Sequence, residues 1–115
     1  MPSFLGMDLR GHLDLLLLAT LHRLGPAHGY ALITALRERS GGAFDLPEGT
    51  VYPALHRLEQ AGLLSSAWTT PPGGRRRRVY SLTKAGSAAL AQRRKVWGRF
   101  SRAVDTLLGG RAWPA

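Results

Sequence analysis

The sequence predicts a mainly α-helical protein with one small β-hairpin, an α+β fold that ends in a long helix. Three observations predict this class. Apolar residues recur at helical spacing through the first half of the chain, two short apolar runs flank a Pro-Pro-Gly-Gly turn, and a long amphipathic stretch follows them. The 115 residues are enough for one domain and too few for two.

The first two predicted helices are joined by a tight connection. Leucines at helical spacing predict the first helix over about 11–24, and Gly25-Pro26 closes it. The second helix begins near Ala27 and stops at Ser40-Gly41-Gly42, where glycine can take the left-handed cap conformation.

The third helix is predicted over about 48–61, and its start has two alternatives because Pro53 lies inside the pattern. If Thr50 is the cap, Pro53 lies in the first turn, where its missing N–H does no harm. If the helix begins at Pro47, Pro53 requires a kink.

A short antiparallel hairpin is predicted from residues 63–70 and 77–82, which are rich in Leu, Trp, Val and Tyr. A hairpin of this size is too small to stand alone and must pack on the helices. Thr83 can cap the last helix, which runs to Gly109-Gly110 and is about 40 Å long at a rise of 1.5 Å per residue. Because this length exceeds the rest of so small a domain, we expect its apolar stripe to pack on a second subunit.

The net charge of +9 is concentrated in the second half of the chain. Residues 63–115 carry eleven of the sixteen basic residues and one of the seven acidic residues, Asp105. Such a field makes a polyanion the natural partner.

Composition disfavours several classes of function. The absence of cysteine excludes disulfides and thiolate metal sites. No histidine has a second histidine or a carboxylate four residues further on, and the acidic residues are not paired, so we expect no metal site, no cofactor and no enzyme. The apolar run at 13–21 is too short to span a membrane, and we expect a soluble cytoplasmic protein.

The outer face of the third helix is the candidate for reading duplex DNA. Val51, Leu55 and Leu58 share the face that should enter the core. The opposite face carries Thr50, Tyr52, Pro53, His56 and Arg57, with Gln60 beside them. Arg57 or His56 could donate to guanine in the major groove, while Tyr52 suits a phosphate oxygen and Thr50 a phosphate or a thymine methyl. The alternative is a solvated helix face with Tyr52 at the edge of the core.

The tip of the hairpin carries four consecutive arginines, which are Arg75, Arg76, Arg77 and Arg78. Beside a reading helix they predict contact with the phosphate backbone or the minor groove, and the alternative is a solubilising turn. Lys84, at the start of the last helix, can add a phosphate contact. Tyr30, at the start of the second helix, has two interpretations, a buried anchor or a phosphate contact.

Several motifs occur in order between residues 12 and 108. They are Leu24-Gly25-Pro26-Ala27-His28-Gly29-Tyr30, Pro47-Glu48-Gly49-Thr50-Val51-Tyr52-Pro53-Ala54-Leu55-His56-Arg57-Leu58-Glu59, Gly62-Leu63-Leu64, Gly74-Arg75-Arg76 with Tyr80, and Leu82-Thr83-Lys84-Ala85-Gly86. In this combination the chain resembles the PadR family of bacterial transcriptional regulators. Its single C-terminal helix is similar to the compact branch of that family.

The resemblance implies a homodimeric winged helix-turn-helix repressor of a nearby operon, often relieved by a small ligand. It implies dimerisation through the first and last helices, for which the candidates are Leu13, Leu17, Val96, Trp97, Phe100, Val104 and Leu107. Multidrug-binding members carry a tryptophan on the last helix that stacks on flat aromatic ligands, and Trp97, followed by Phe100, lies in a similar context. The implied inducer is a flat, apolar, cationic or neutral aromatic molecule, and the alternative for Trp97 is a plain aromatic of the dimer core.

These expectations divide the chain into a winged helix-turn-helix DNA-binding domain at 1–82, a dimerisation helix at 83–110 and a disordered tail at 111–115. Two other classes of function remain open. One is an RNA- or ribosome-associated winged-helix protein, which would prefer single strands or A-form shape. The other is a ligand-binding dimer in which DNA contact is incidental.

Overall fold

The computed structural model describes residues 12–109 and confirms the predicted class, mainly α-helical with a small antiparallel sheet. The elements are α1 (Leu13–Leu24), β1 (Ala27–His28), α2 (Gly29–Arg39), α3 (Glu48–Gln60), β2 (Leu64–Thr69), β3 (Arg77–Leu82) and α4 (Lys84–Leu107). The predicted tail at 111–115 lies outside the described residues. Among residues 12–109, no helix combines the length and the apolar composition of a membrane span.

The sheet has one strand more than the sequence predicts. β2 and β3 form the expected antiparallel hairpin, with Leu64 opposite Leu82, and β1 adds to the other edge of β3, with Ala27 opposite Tyr80. Ala27 therefore lies in a strand and not at the start of α2. The reason is the cap of α2, because His28 has extended backbone angles and its Nδ1 accepts a hydrogen bond from the Ala31 N–H at 3.3 Å.

The start of α3 follows the earlier of the two predicted alternatives. Pro47 is the N-cap, with extended backbone angles, and the helix begins at Glu48, so the cap at Thr50 is wrong. Pro53 is the sixth residue of the helix and cannot donate a hydrogen bond to the carbonyl of Gly49. Gly49 is exposed, which leaves its carbonyl accessible to solvent.

The core is built from the leucine faces of the first three helices. Its fully covered members are Leu17, Leu18, Leu21, Leu32, Leu46, Val51, Leu55 and Leu58. Tyr80 of β3 and Leu90 of α4 join the same core, which fixes the sheet and the first half of α4 to the helices.

Two predicted interface residues on α1 belong to this core. Leu13 and Leu17 are 8% and 0% exposed. The structure therefore corrects the predicted interface at both positions, because their own chain leaves almost none of their surface for a second subunit.

The start of α4 is fastened to the loop that follows α3. Gly62 takes a positive φ of 81°, which turns the chain so that the Leu63 carbonyl accepts from the Thr83 N–H at 3.1 Å. The Thr83 hydroxyl donates to the Gly62 carbonyl at 2.7 Å and accepts from the Gly86 N–H at 3.0 Å, which caps α4. Gly86 is buried against this loop, and a Cβ added there would lie 2.0 Å from the Leu63 carbonyl oxygen.

We expect Gly86→Ala to lower the free energy of unfolding by about 1–3 kcal/mol or more, because backbone must move to accept the methyl group. Gly98→Ala on the same helix is the control. A Cβ there meets only the flexible end of Arg102, at 3.1 Å. This variant should be neutral or gain up to about 1 kcal/mol from helix propensity. Urea unfolding of both variants tests the difference, and equal stabilities would contradict it.

Candidate nucleic-acid interface

α3 separates into a buried and an exposed face, as its periodicity predicts. Val51, Ala54, Leu55 and Leu58 are buried. The predicted reading residues Tyr52, Pro53, His56 and Arg57 are exposed, and Thr50 is half-buried. The structure thus brings the five candidates of this helix to one accessible side, and their contacts with DNA stay a prediction.

Tyr52 crosses from α3 to the start of α2. A Cβ added to Gly29 would lie 2.5–2.7 Å from the Tyr52 ring atoms, so the ring occupies the space that a side chain at position 29 would need. Partial burial, with the nearby Glu48 carboxylate, raises the pKa of the Tyr52 hydroxyl, which therefore remains a hydrogen-bond donor at neutral pH. A neutral hydroxyl of this kind can donate to a phosphate oxygen.

Tyr30 lies beside this contact and has 63% of its surface exposed. Of its two interpretations, the buried anchor is therefore wrong. The phosphate contact stays a prediction.

Arg57 forms an ion pair with another residue of its own chain. Its Nη2 donates to Oδ1 of Asp14 on α1 at 2.5 Å, although 57% of its side chain remains exposed. No pattern in the sequence predicts this pair, whose members lie 43 positions apart. This bond engages one of the five N–H donors of the Arg57 guanidinium.

Arg78 joins the hairpin to α3. Its guanidinium lies 3.2 Å from the Glu59 carboxylate, and its Nε donates to the Ser66 hydroxyl at 2.7 Å. Ser66 in turn donates to Glu59 at 2.5 Å. We call Glu59, Ser66 and Arg78 the hairpin latch. The run of four arginines does not predict this latch, but alternation along β3 places Arg78 on the same face as the buried Tyr80 and is a signal for it.

The other three arginines of the run have different surroundings. Arg76 lies over the ring of Trp68, 4.4 Å from its centroid, and Arg78 is 5.6 Å from the same centroid. Arg75 and Arg77 are exposed, and their side chains have no hydrogen bond or ion pair within residues 12–109. Lys84, the first residue of α4, is also exposed. The two arginines without partners are the ones most available to a phosphate backbone.

The latch also fixes the ionisation of Glu59. The Ser66 hydrogen bond lowers the pKa of Glu59 below its ordinary value of 4.5, burial opposes the shift, and the Arg78 guanidinium adds to it. Because the pKa is lower in the folded state than in the unfolded state, ionised Glu59 stabilises the fold above about pH 4.5. This contribution is lost as the pH falls through the folded-state pKa.

α4 presents an apolar stripe that its own chain leaves largely uncovered. Val96, Trp97, Phe100 and Leu107 are 49%, 44%, 56% and 87% exposed, and Val104 is half-buried. The rings of Trp97 and His12 form a T-shaped pair with centroids 5.4 Å apart, and the ring centroids of Trp97 and Phe100 lie 5.7 Å apart.

A cavity of about 350 Å³ opens beside this stripe. It is lined by His12, Leu15, Arg93, Val96, Trp97 and Phe100. Nη1 of Arg93 is buried and has no hydrogen-bond partner within the described part of the chain. No group of three or more His, Asp or Glu side chains that could hold a metal ion occurs between residues 12 and 109.

Comparison with known proteins identifies this arrangement. Residues 17–92 match the profile of the transcriptional regulator PadR-like family. The chain belongs to this family. It is 43% identical over 79 residues, 69% of this chain and 70% of the relative, to a transcriptional regulator of Mycobacterium tuberculosis.

Solved structures of PadR regulators have the same fold. A PadR family transcription regulator from Clostridium difficile superposes with a TM-score of 0.76 at 33% identity, over 86% of this chain and all of the other. A PadR family regulator from Eggerthella lenta gives 0.75 at 33% identity, over 87% and 84% of the two chains. Family and structures together confirm the expected PadR resemblance and identify a transcriptional regulator rather than an enzyme.

Acidification should loosen the hairpin latch before other parts of the PadR fold. In a variant with Trp97→Phe and Trp113→Phe, which leaves Trp68 as the single tryptophan, we expect Trp68 fluorescence to change as the pH falls through the folded-state pKa of Glu59, which lies below the ordinary value of 4.5. Glu59→Gln in the same background should lose this part of the acid response. An identical acid response with and without Glu59 would show that the latch does not control the hairpin.

Proposed function

We propose that this PadR regulator is a homodimeric, sequence-specific DNA-binding repressor of the bacterial cytoplasm, relieved by a small aromatic ligand. One observation carries the DNA-binding part of the proposal. The exposed face of α3 and the arginine-bearing hairpin lie side by side and are joined by the hairpin latch, so a base-reading element and a backbone-binding element approach a duplex together.

The two elements have separate tasks in this proposal. His56 and Arg57 reach base edges in the major groove from α3, while Thr50, Tyr52 and Pro53 lie against the groove wall. Arg75 and Arg77 contact phosphate, and Lys84 and Tyr30 extend that contact on either side. Arg78 belongs to the hairpin latch, and in this proposal it fixes the hairpin to α3 instead of contacting DNA itself.

A second copy of the chain is the proposed occupant of the α4 stripe. Val96, Trp97 and Phe100 form a continuous exposed apolar surface on a helix of 24 residues, and surfaces of this kind rarely stay wet. Val104 and Leu107 continue the same stripe towards the end of the helix. In this proposal two subunits pair along the stripe about a two-fold axis. Residues 1–82 then bind DNA, and residues 83–110 join the subunits.

The ligand site of the proposal is the cavity beside Trp97. The indole and the ring of Phe100 offer faces for offset stacking of a flat aromatic molecule. The Arg93 guanidinium in the wall opposes a cationic ligand, so the cationic alternative is less suited than a neutral aromatic with a hydrogen-bond acceptor. Release of DNA follows if the ligand prefers a dimer whose α3 helices do not match both half-sites.

Selection of bound duplexes from a random pool tests the DNA-binding proposal. The native protein should recover a two-fold sequence whose half-sites lie about 34 Å apart. Phe100→Asp should separate the subunits, because an unpaired charge would be buried at the interface, and recover single half-sites. Recovery of no preferred duplex would favour a ligand-binding dimer, and preference for RNA would favour the RNA-associated alternative.

The salt dependence of DNA binding tests whether the hairpin arginines contact phosphate. Arg75→Ala and Arg77→Ala should each reduce the slope of log affinity against log salt by about one unit, with the preferred sequence unchanged. His56→Ala should instead relax the preference at one base position, at a cost of about 1–3 kcal/mol. A slope unaffected by both arginine variants would contradict phosphate contact by the wing.

Quenching of tryptophan fluorescence by planar, neutral aromatic dyes tests the ligand site. We expect quenching in the native dimer and its loss in Trp97→Ala, because the stacking surface is gone. Trp68→Phe is the matched control and should keep the quenching. Equal quenching in native protein and Trp97→Ala would place the bound dye elsewhere.

A further inference from the structure

Trp68 is a large aromatic side chain that lies largely exposed on the hairpin. It belongs to β2, and 53% of its surface is exposed. Because side chains alternate along a strand, Trp68 shares a face of β2 with the buried Leu64 and with Ser66. Ser66 donates to Glu59 of α3, so this face of the hairpin is the one directed towards α3. Trp68 continues the same face two positions closer to the turn.

Two guanidinium groups lie over the indole of Trp68. Cζ of Arg76 is 4.4 Å from the ring centroid, and Cζ of Arg78 is 5.6 Å from it. The hairpin latch holds Arg78 through Glu59, so the latch also fixes part of the surroundings of the indole. Arg76 has no hydrogen bond or ion pair within residues 12–109, and no acidic side chain there balances its charge directly.

The edge of the indole is the part of Trp68 that a partner can reach most easily. Arg76 lies over the ring face and limits stacking on it. At the edge, Nε1–H is a hydrogen-bond donor that has no acceptor in the part of the chain that the structure describes. An exposed ring with a donor at its edge and an unbalanced cation beside it fits a partner that has both apolar surface and anionic oxygens.

We infer that Trp68 contacts the backbone of duplex DNA: its Nε1–H donates to a phosphate oxygen, its ring packs on the adjoining deoxyribose, and Arg76 pairs with a neighbouring phosphate. This inference rests on the proposed DNA-binding function. A sugar–phosphate backbone supplies all three complements side by side. An apolar protein groove would cover the ring but leave the Arg76 charge without an anion, and a single-stranded base would need the ring face that Arg76 covers.

A neutral donor and a cation have different signatures in DNA binding. Trp68→Phe keeps an aromatic ring beside Arg76 and removes only the N–H. It should weaken binding to every duplex about two- to tenfold, the effect of one hydrogen bond. Because a neutral donor releases no counterion, the salt slope should stay unchanged, whereas Arg76→Ala should lower that slope by about one unit. Ser65→Ala, which removes an exposed hydroxyl from the opposite face of β2, is the matched control and should bind as the native protein does.

The fluorescence of Trp68 tests the contact without a substitution at position 68. In the variant with Trp97→Phe and Trp113→Phe, the selected duplex should shield the remaining indole from quenching by acrylamide. A scrambled duplex should shield it equally once it is bound, because a backbone contact does not depend on the sequence.

Acrylamide quenching that is the same in the free protein and in the DNA complex would overturn the inference, because the indole would then face solvent in that complex. Equal affinities of Trp68→Phe and Ser65→Ala would also overturn it. Shielding by single-stranded RNA without shielding by duplex would place the ring against a base and contradict the backbone contact. Native protein that binds no duplex would instead refute the proposed function, on which the inference rests.

Discussion

Burial of the leucine face of α1 is the constraint on which the rest of the structure depends. Leu17 and Leu18 are fully buried, and α1 packs on α2, α3, α4 and β3. Burial of one such side chain contributes about 1.5–3 kcal/mol, a large share of the stability of so small a domain. Because α3 and α4 pack on the same helix, the exposed face of α3 and the apolar stripe of α4 have a fixed relative position.

Elements with a local signal could be predicted from the sequence, and elements that need a distant partner could not. Helical spacing, the Thr83 cap and the Pro-Pro-Gly-Gly turn define α1, α4 and the hairpin without reference to other segments. β1 has two residues and no periodicity, and it exists because the edge of β3 is there to pair with it. The helical spacing of Leu13 and Leu17 is the same whether a second subunit or their own chain buries them, so the sequence cannot distinguish the two cases.

The residues of the candidate DNA-binding site differ in the same way in how far the sequence predicts them. The exposed side of α3 follows from its period, whereas the partner of Arg57 lies 43 positions away and that of Arg78 lies 19 positions away. Four identical residues in a row give no sign that the fourth is bound to Glu59 and the second to Trp68. Arg77 and Arg78 have different surroundings because neighbouring residues on a strand point to opposite faces, and Arg75 and Arg76 precede the strand.

The arginine of the hairpin latch has a structural role that a count of positive charges does not reveal. A two-stranded hairpin is marginally stable alone, and an untethered one would lose conformational freedom on binding DNA. The hairpin latch removes part of that freedom beforehand, at the expense of one cation that could have met phosphate. The charges that remain free on Arg75 and Arg77 are then held at a set distance from α3.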